Sequence, residues 1–167
     1  MKKGILASVT ALLLFVPVTV PAVAFASAPA SVPDAEPFGS RSMRAGDYDI
    51  HYSAFNSTFI PPEVAKAYSL ERGPRTGILN IAIRNVKSSE LGTAVKGLIE
   101  GNMTNLLGQR TALTFHEVNE GHAVYYLASF RFSNEEQLTF DLAVTPDKHT
   151  QSERVTFSQQ FYEGEKS

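Results

Sequence analysis

The sequence predicts an all-β fold: a single antiparallel β-sandwich in the immunoglobulin-like style, with about seven strands and one short helix, and an up-and-down β-barrel as the alternative. Three observations lead there. Apolar and polar residues alternate with period 2 along most of the chain after residue 46, turn signals separate the alternating runs, and only one segment carries a helical pattern.

Tyr48, Ile50, Tyr52 and Ala54 alternate with Asp49, His51 and Ser53, as a strand with one buried face should. Leu79, Ile81 and Ile83 alternate in the same way with Asn80, Ala82 and Arg84. Leu138, Phe140, Leu142 and Val144 alternate with Thr139, Asp141, Ala143 and Thr145, and that run stops at Pro146. Val155, Phe157, Gln159 and Phe161 alternate with Thr156, Ser158, Gln160 and Tyr162.

Leu113 to Val118 and His122 to Phe132 flank Asn119-Glu120-Gly121, which has the length and terminal glycine of a three-residue hairpin loop with a bulge. The second arm is apolar on both faces, which places it in the middle of a sheet. Val95 to Leu107 is read as a strand, because Gly97, Gly101 and two asparagines disfavour a helix. The helix is placed at Pro61-Pro62, where proline supplies the φ of a first turn and Val64, Ala67 and Tyr68 share a face; it ends before Gly73-Pro74.

The chain opens with two lysines and continues through thirteen uncharged, mostly apolar residues, Gly4 to Val16. As a helix these span about 20 Å, short of the ~30 Å hydrocarbon core, and Pro17 and Pro21 would interrupt a continuing helix. Ala24-Phe25-Ala26 supplies the small residues that signal peptidase accepts, so residues 1–26 read as a cleavable signal peptide. Residues 27–45, rich in Pro, Ala and Ser, read as a flexible leader, 46–163 as the β domain and 164–167 as a tail.

Cleavage leaves residues 27–167 and removes Lys2 and Lys3, which takes the formal net charge from −2 to −4. That charge disfavours nucleic acid as a partner, and no membrane span is expected in the mature form. The chain has no cysteine. Thiol catalysis, disulfide staples, a lipid-bearing cysteine and Cys-ligated metals therefore drop out together, and stability must come from apolar burial and hydrogen bonds.

Several segments resemble a known family. Gly46-Asp47-Tyr48, His51 through Phe59, Pro62-Glu63-Val64-Ala65 to Tyr68, Leu79-Asn80-Ile81, Asn105-Leu106-Leu107-Gly108-Gln109 and Glu120 through Tyr126 look like the signature of domain of unknown function 4426. The resemblance implies a small exported protein of a Gram-negative bacterium and a periplasmic location. It implies no activity and assigns no catalytic residue.

His116-Glu117 starts like a zinc-protease motif, but the fifth position is Glu120 and the stretch alternates as a strand. If the hairpin loop is Asn119 to Gly121, Val118 pairs with His122 and His116 with Val124. The two histidines then lie on one face with Cβ atoms roughly 6–7 Å apart, a spacing at which they could chelate a divalent metal; no other cofactor is expected. Tyr48, Tyr52, Tyr125, Tyr126, Phe130 and Phe132 could line a ligand groove, though aromatics at strand spacing more often form core. Phe55 and Phe59 sit off the clean alternation and are candidate exposed anchors for a partner. Asn56 beside them either joins that contact or holds a turn. Arg72, Arg75, Arg84 and Lys87 could meet an acidic partner or lipid headgroup, but a solvated loop and strand rim accounts for them.

The sequence carries no catalytic signature. Its leading reading is a periplasmic, non-catalytic interaction or binding module whose partner is another periplasmic or envelope protein. The alternative is a small-molecule or divalent-metal-binding protein using His116 and His122, with a hydrolase third.

Overall fold

The computed structural model describes residues 41–87 and 92–164. The signal-peptide segment, residues 27–40 of the leader and residues 165–167 of the tail lie outside the described residues. Two antiparallel sheets face each other and no barrel closes. One sheet is formed by β1 (Arg41–Ala45), β2 (Tyr48–Asn56), β3 (Thr76–Asn85), β4 (Thr93–Val95), β7 (His116–Asn119) and β8 (Val124–Arg131). Its order is β1-β2-β3-β8-β7, with β4 also paired to β3. The other holds β5 (Gly97–Asn105), β6 (Arg110–Ala112), β9 (Glu136–Pro146) and β10 (Glu153–Phe161) in the order β10-β9-β5-β6.

The main core lies between the sheets, where the apolar members of the alternating runs meet. Ile50, Ile81, Ile83, Leu142, Val144 and Val155 are fully buried there, and each such side chain contributes about 1.5–3 kcal/mol of burial. An aromatic cluster fills the middle: Phe140 stacks on Phe157 at 4.9 Å and meets Phe130 edge-on at 5.1 Å, while Phe161 lies 5.1 Å from Phe130.

A second core covers the outer face of the six-stranded sheet. There α1 (Pro62–Ala67) lays Val64 and Ala65 over Phe55, Ile78, Val118 and Leu127. The central strands β3 and β8 are thus buried on both faces, as the unbroken apolar run of β8 predicts. The hydroxyl of Tyr68, the residue that closes α1, donates to Glu120 at 2.6 Å and pins the helix to the β7–β8 loop. Pro61 and Pro62 start the helix as expected, but its buried face is Val64 and Ala65; Ala67 is exposed.

Among the described residues there are ten strands where about seven were expected, and the three additions have separate causes. Arg41–Ala45, assigned to the flexible leader, forms β1: its backbone ladders onto β2, Met43 reaches the core, and Arg44 pairs with Asp49 at 2.8 Å. Composition hides it because an edge strand needs little apolar surface to pair. The expected strand Val95–Leu107 begins only at β5, Lys96 marking the change of sheet from β4. The arm expected over Leu113–Val118 enters β7 only at His116, and the added β6 lies just before it; Leu113 to Phe115 make the crossing between the sheets, with Leu113 and Phe115 packed against the core on the way.

Candidate functional site

The register fixes which side chains share an end of the sandwich. Asn56 pairs with Gly77, Thr76 with Arg131, Asn105 with Leu138, Thr104 with Arg110, and Glu136 with Phe161. The ends of β2, β5, β8 and β10 and the starts of β3, β6 and β9 therefore converge. The Asn56 side chain ties the sheets together there by donating to the Tyr162 carbonyl at 2.8 Å.

A cleft of about 420 Å³ opens between the sheets at this end. Met103, Leu113, Phe130 and Leu138 supply its apolar side; Glu71, Arg131, Asn105, Gln109 and Glu136 supply its polar rim. Arg131 pairs with Glu71 across the mouth. Two carboxylates at this end are held differently: Glu136 accepts from the Ser133 backbone at 2.6 Å and from Asn105 at 3.2 Å, whereas Glu163 is engaged by the Arg75 guanidinium at 3.0 and 3.1 Å.

Large apolar side chains are exposed at the same end. Phe59 (57%), Leu106 (80%), Leu107 (84%) and Tyr162 (56%) all lie in its loops, while Leu98 sits at the start of β5, at the opposite end. A cleft of this size with an apolar side and a few placed polar groups is the usual form of a small-ligand or short-segment site.

The structure scatters the sequence candidates. Phe59 is exposed at the loop end, as expected of an anchor, but Phe55 is buried in the second core, because the outer face of its strand is covered by α1. Asn56 holds the loop end together. Ser53, assigned to a polar face, is buried opposite Asn80 for the same reason as Phe55. Of the aromatic set, Tyr126 and Phe132 are core and Phe130 serves both core and cleft. The four cations all have intramolecular partners: Arg72 donates to the Ile60 and Thr58 carbonyls, Arg75 to Glu163, Arg84 to the Gly92 carbonyl, and Lys87 pairs with Asp47.

The expected histidine pairing is not formed. Asn119 pairs with Val124, so the loop runs from Glu120 to Ala123, and His116 stands opposite Leu127 rather than Val124. His122 lies in the loop. The Asn119 side chain sets this closure by accepting from the Gly121 N–H at 2.9 Å. Among the described residues there is no group of three or more His, Cys, Asp or Glu that could hold a metal ion.

The groups with displaced ionisation lie outside the cleft. Lys96 and Glu117 form an ion pair that holds the Glu117 carboxyl below its ordinary range. Tyr126, beside them, accepts from the Gly97 N–H at 2.8 Å and donates to Glu117 at 3.3 Å. Burial, then the Glu117 charge, raises its phenol above the usual tyrosine value. A raised phenol stabilises the fold below about pH 10, the unfolded tyrosine value, and that contribution is lost as pH rises toward the folded value. Tyr126→Phe is expected to cost about 1 kcal/mol at neutral pH through the lost hydrogen bonds. It should also flatten the alkaline fall in stability, read by urea denaturation between neutral pH and the tyrosine range; an unchanged alkaline slope would assign that fall to other groups.

Comparison with known proteins adds the family. Residues 42–164 match the family model described as domain of unknown function DUF4426. The crystal structure of a DUF4426 family protein from Pseudomonas aeruginosa PAO1 is 31% identical, covers 76% of this chain and 98% of its own, and superposes with a TM-score of 0.66. FetP of uropathogenic Escherichia coli strain F11, recombinantly expressed in the periplasm of E. coli, has 9% identity and a TM-score of 0.52 over 74% of this chain and 93% of its own. A copper-bound variant of FetP gives 9% identity and a TM-score of 0.51 over 74% and 95%. At that identity the likeness is one of fold alone. No curated protein matches the chain. With nearly three-quarters of its length matched and a solved relative covered almost end to end, the chain belongs to the DUF4426 family.

Proposed function

We propose that the chain is an exported, non-catalytic binding module of the periplasm that engages its partner through the loop end of the sandwich. One observation carries this reading: the cleft and the exposed side chains Phe59, Leu106, Leu107 and Tyr162 gather at a single end, whereas ordinary surface apolar residues are scattered. The amino-terminal pattern of residues 1–26 supports export, and the expression of a protein of like fold in the periplasm agrees with the location.

The test is site-specific photocrosslinking in the cell envelope. A photoreactive residue at Phe59, Leu106 or Tyr162 should give a discrete crosslinked species, and the same residue at Leu98 should not. Equal yields from both ends, or none from any position, would remove the reading. Amino-terminal sequencing of the periplasmic fraction should begin at Ser27.

Metal binding is the second reading, favoured by the copper-bound neighbour of like fold and weakened by the loss of the cross-strand histidine pairing. Calorimetric titration with copper decides it: saturable binding abolished by His116→Ala and by His122→Ala separately would restore that reading, and binding indifferent to both would end it.

A further inference from the structure

The β5–β6 turn keeps two leucines in water by construction. Asn105 Oδ1 accepts from the Leu107 N–H at 3.1 Å and the Gln109 N–H at 3.0 Å, and Asn105 Nδ2 donates to Gln109 Oε1 at 2.8 Å and Glu136 Oε1 at 3.2 Å. The backbone adds Gly108 N–H to the Asn105 carbonyl at 2.9 Å and Asn105 N–H to the Gln109 carbonyl at 3.1 Å. Gly108 takes φ 77°, which a side chain would resist. A turn tied at this many points cannot fold its tip back onto the domain, yet Leu106 and Leu107 are the two most exposed large apolar residues among those described.

The surroundings of the tip are acidic. A depression of about 160 Å³ is lined by both leucines with Asn105, Glu135, Glu136 and Gln137, and no Lys or Arg joins it. Arg110, three residues beyond Leu107, lines instead a separate depression with Asp141 and Arg154. An apolar knob beside two carboxylates complements apolar side chains interspersed with cations and repels an anionic headgroup surface.

We propose that the Leu106–Leu107 turn docks a cationic amphipathic segment of a protein partner, whose apolar side chains cover the two leucines while its lysines or arginines face Glu135 and Glu136. This rests on the loop end being the binding face and adds the chemistry of what binds there. Rigid presentation favours such docking, because little conformational entropy remains to be lost on the side of this chain.

The experiment uses the mature chain, residues 27–167, and a fluorescein-labelled amphipathic helical peptide of about 18 residues built from Leu and Lys. Anisotropy should report saturable binding that weakens with salt. Leu106→Ser with Leu107→Ser should reduce affinity by about tenfold or more. Glu135→Lys, which leaves the leucines and the turn in place, should weaken binding several-fold and flatten its salt dependence. No binding by the wild type, equal binding by the leucine variant, or equal binding of a peptide with Glu in place of Lys would overturn the proposal. Leucine-dependent recruitment to phosphatidylethanolamine vesicles without peptide binding would replace the partner with a membrane. A leucine-dependent dimer in sedimentation without peptide binding would replace it with a second copy. Crosslinks from Leu106 in the envelope alongside failed peptide binding would leave the loop-end reading standing and this proposal fallen.

Discussion

Phe140→Ala is expected to lower the stability of the domain by about 3–5 kcal/mol. Phe140 is fully buried in β9, a central strand of its sheet, and touches rings from both sheets: Phe157 and Phe161 on β10 and Phe130 on β8. Deleting the ring removes its burial and its offset and edge-on contacts, and leaves a cavity that three other rings border. The neighbours cannot close it cheaply, because Phe157 and Phe161 are held by the β9–β10 ladder and Phe130 by its pairing with Gly77. Urea denaturation should show a fall in midpoint with little change in slope. Against a typical total of about 5–15 kcal/mol, the loss brings the domain close to unfolding. Phe140→Leu, which keeps most of the volume, should cost markedly less. A loss below about 1 kcal/mol for the alanine variant would mean that the rings do not act as one packed unit.

How much of this fold the sequence discloses depends on what period-2 alternation reports, which is one buried face. Strands β9 and β10 bury chiefly one face, and their inward sides were legible from Phe140 and Val155, as the inward side of β2 was from Ile50. Burial on the second face of β2 was not: Ser53 fits the polar side of the alternation and Phe55 breaks it, yet both are buried on the face that α1 covers, and a polar position or a break reads as exposure when the covering helix is unknown. β8 announced its two-sided burial because Tyr125, Tyr126 and Leu127 run consecutively. Register was the least legible. Closing the β7–β8 hairpin with a four-residue loop instead of a three-residue one, and pairing His116 with Leu127, shifts partners by three positions; an odd shift turns a strand over, so the histidine pair was lost.

The candidate site was less legible still, since a cleft between sheets depends on how they stack and no local pattern encodes that. One signal was present. Leu106-Leu107 lies between Asn105 and Gly108, residues that favour a turn, where two adjacent large apolar side chains have no core to enter. Reading Val95 to Leu107 as one strand absorbed the leucines into a ladder and concealed them.

Gly77→Ala should destabilise the domain by about 1–3 kcal/mol although it adds a single methyl group. Gly77 is the cross-strand partner of Phe130, whose ring lies over the place a side chain would occupy. A Cβ there would stand 2.2, 2.5 and 2.9 Å from three atoms of that ring, so the ring must move. It has little room to do so, with Phe132, Phe140 and Phe161 as neighbours. The displacement also reaches the loop end, because Phe130 forms part of the apolar side of the cleft. A double-mutant cycle isolates the cause. In a Phe130→Ala background the space is free, and Gly77→Ala should then be neutral or slightly stabilising, since alanine restricts the unfolded chain more than glycine does. Equal costs in the two backgrounds would instead place the penalty in the backbone of β3 and detach the cleft from this packing.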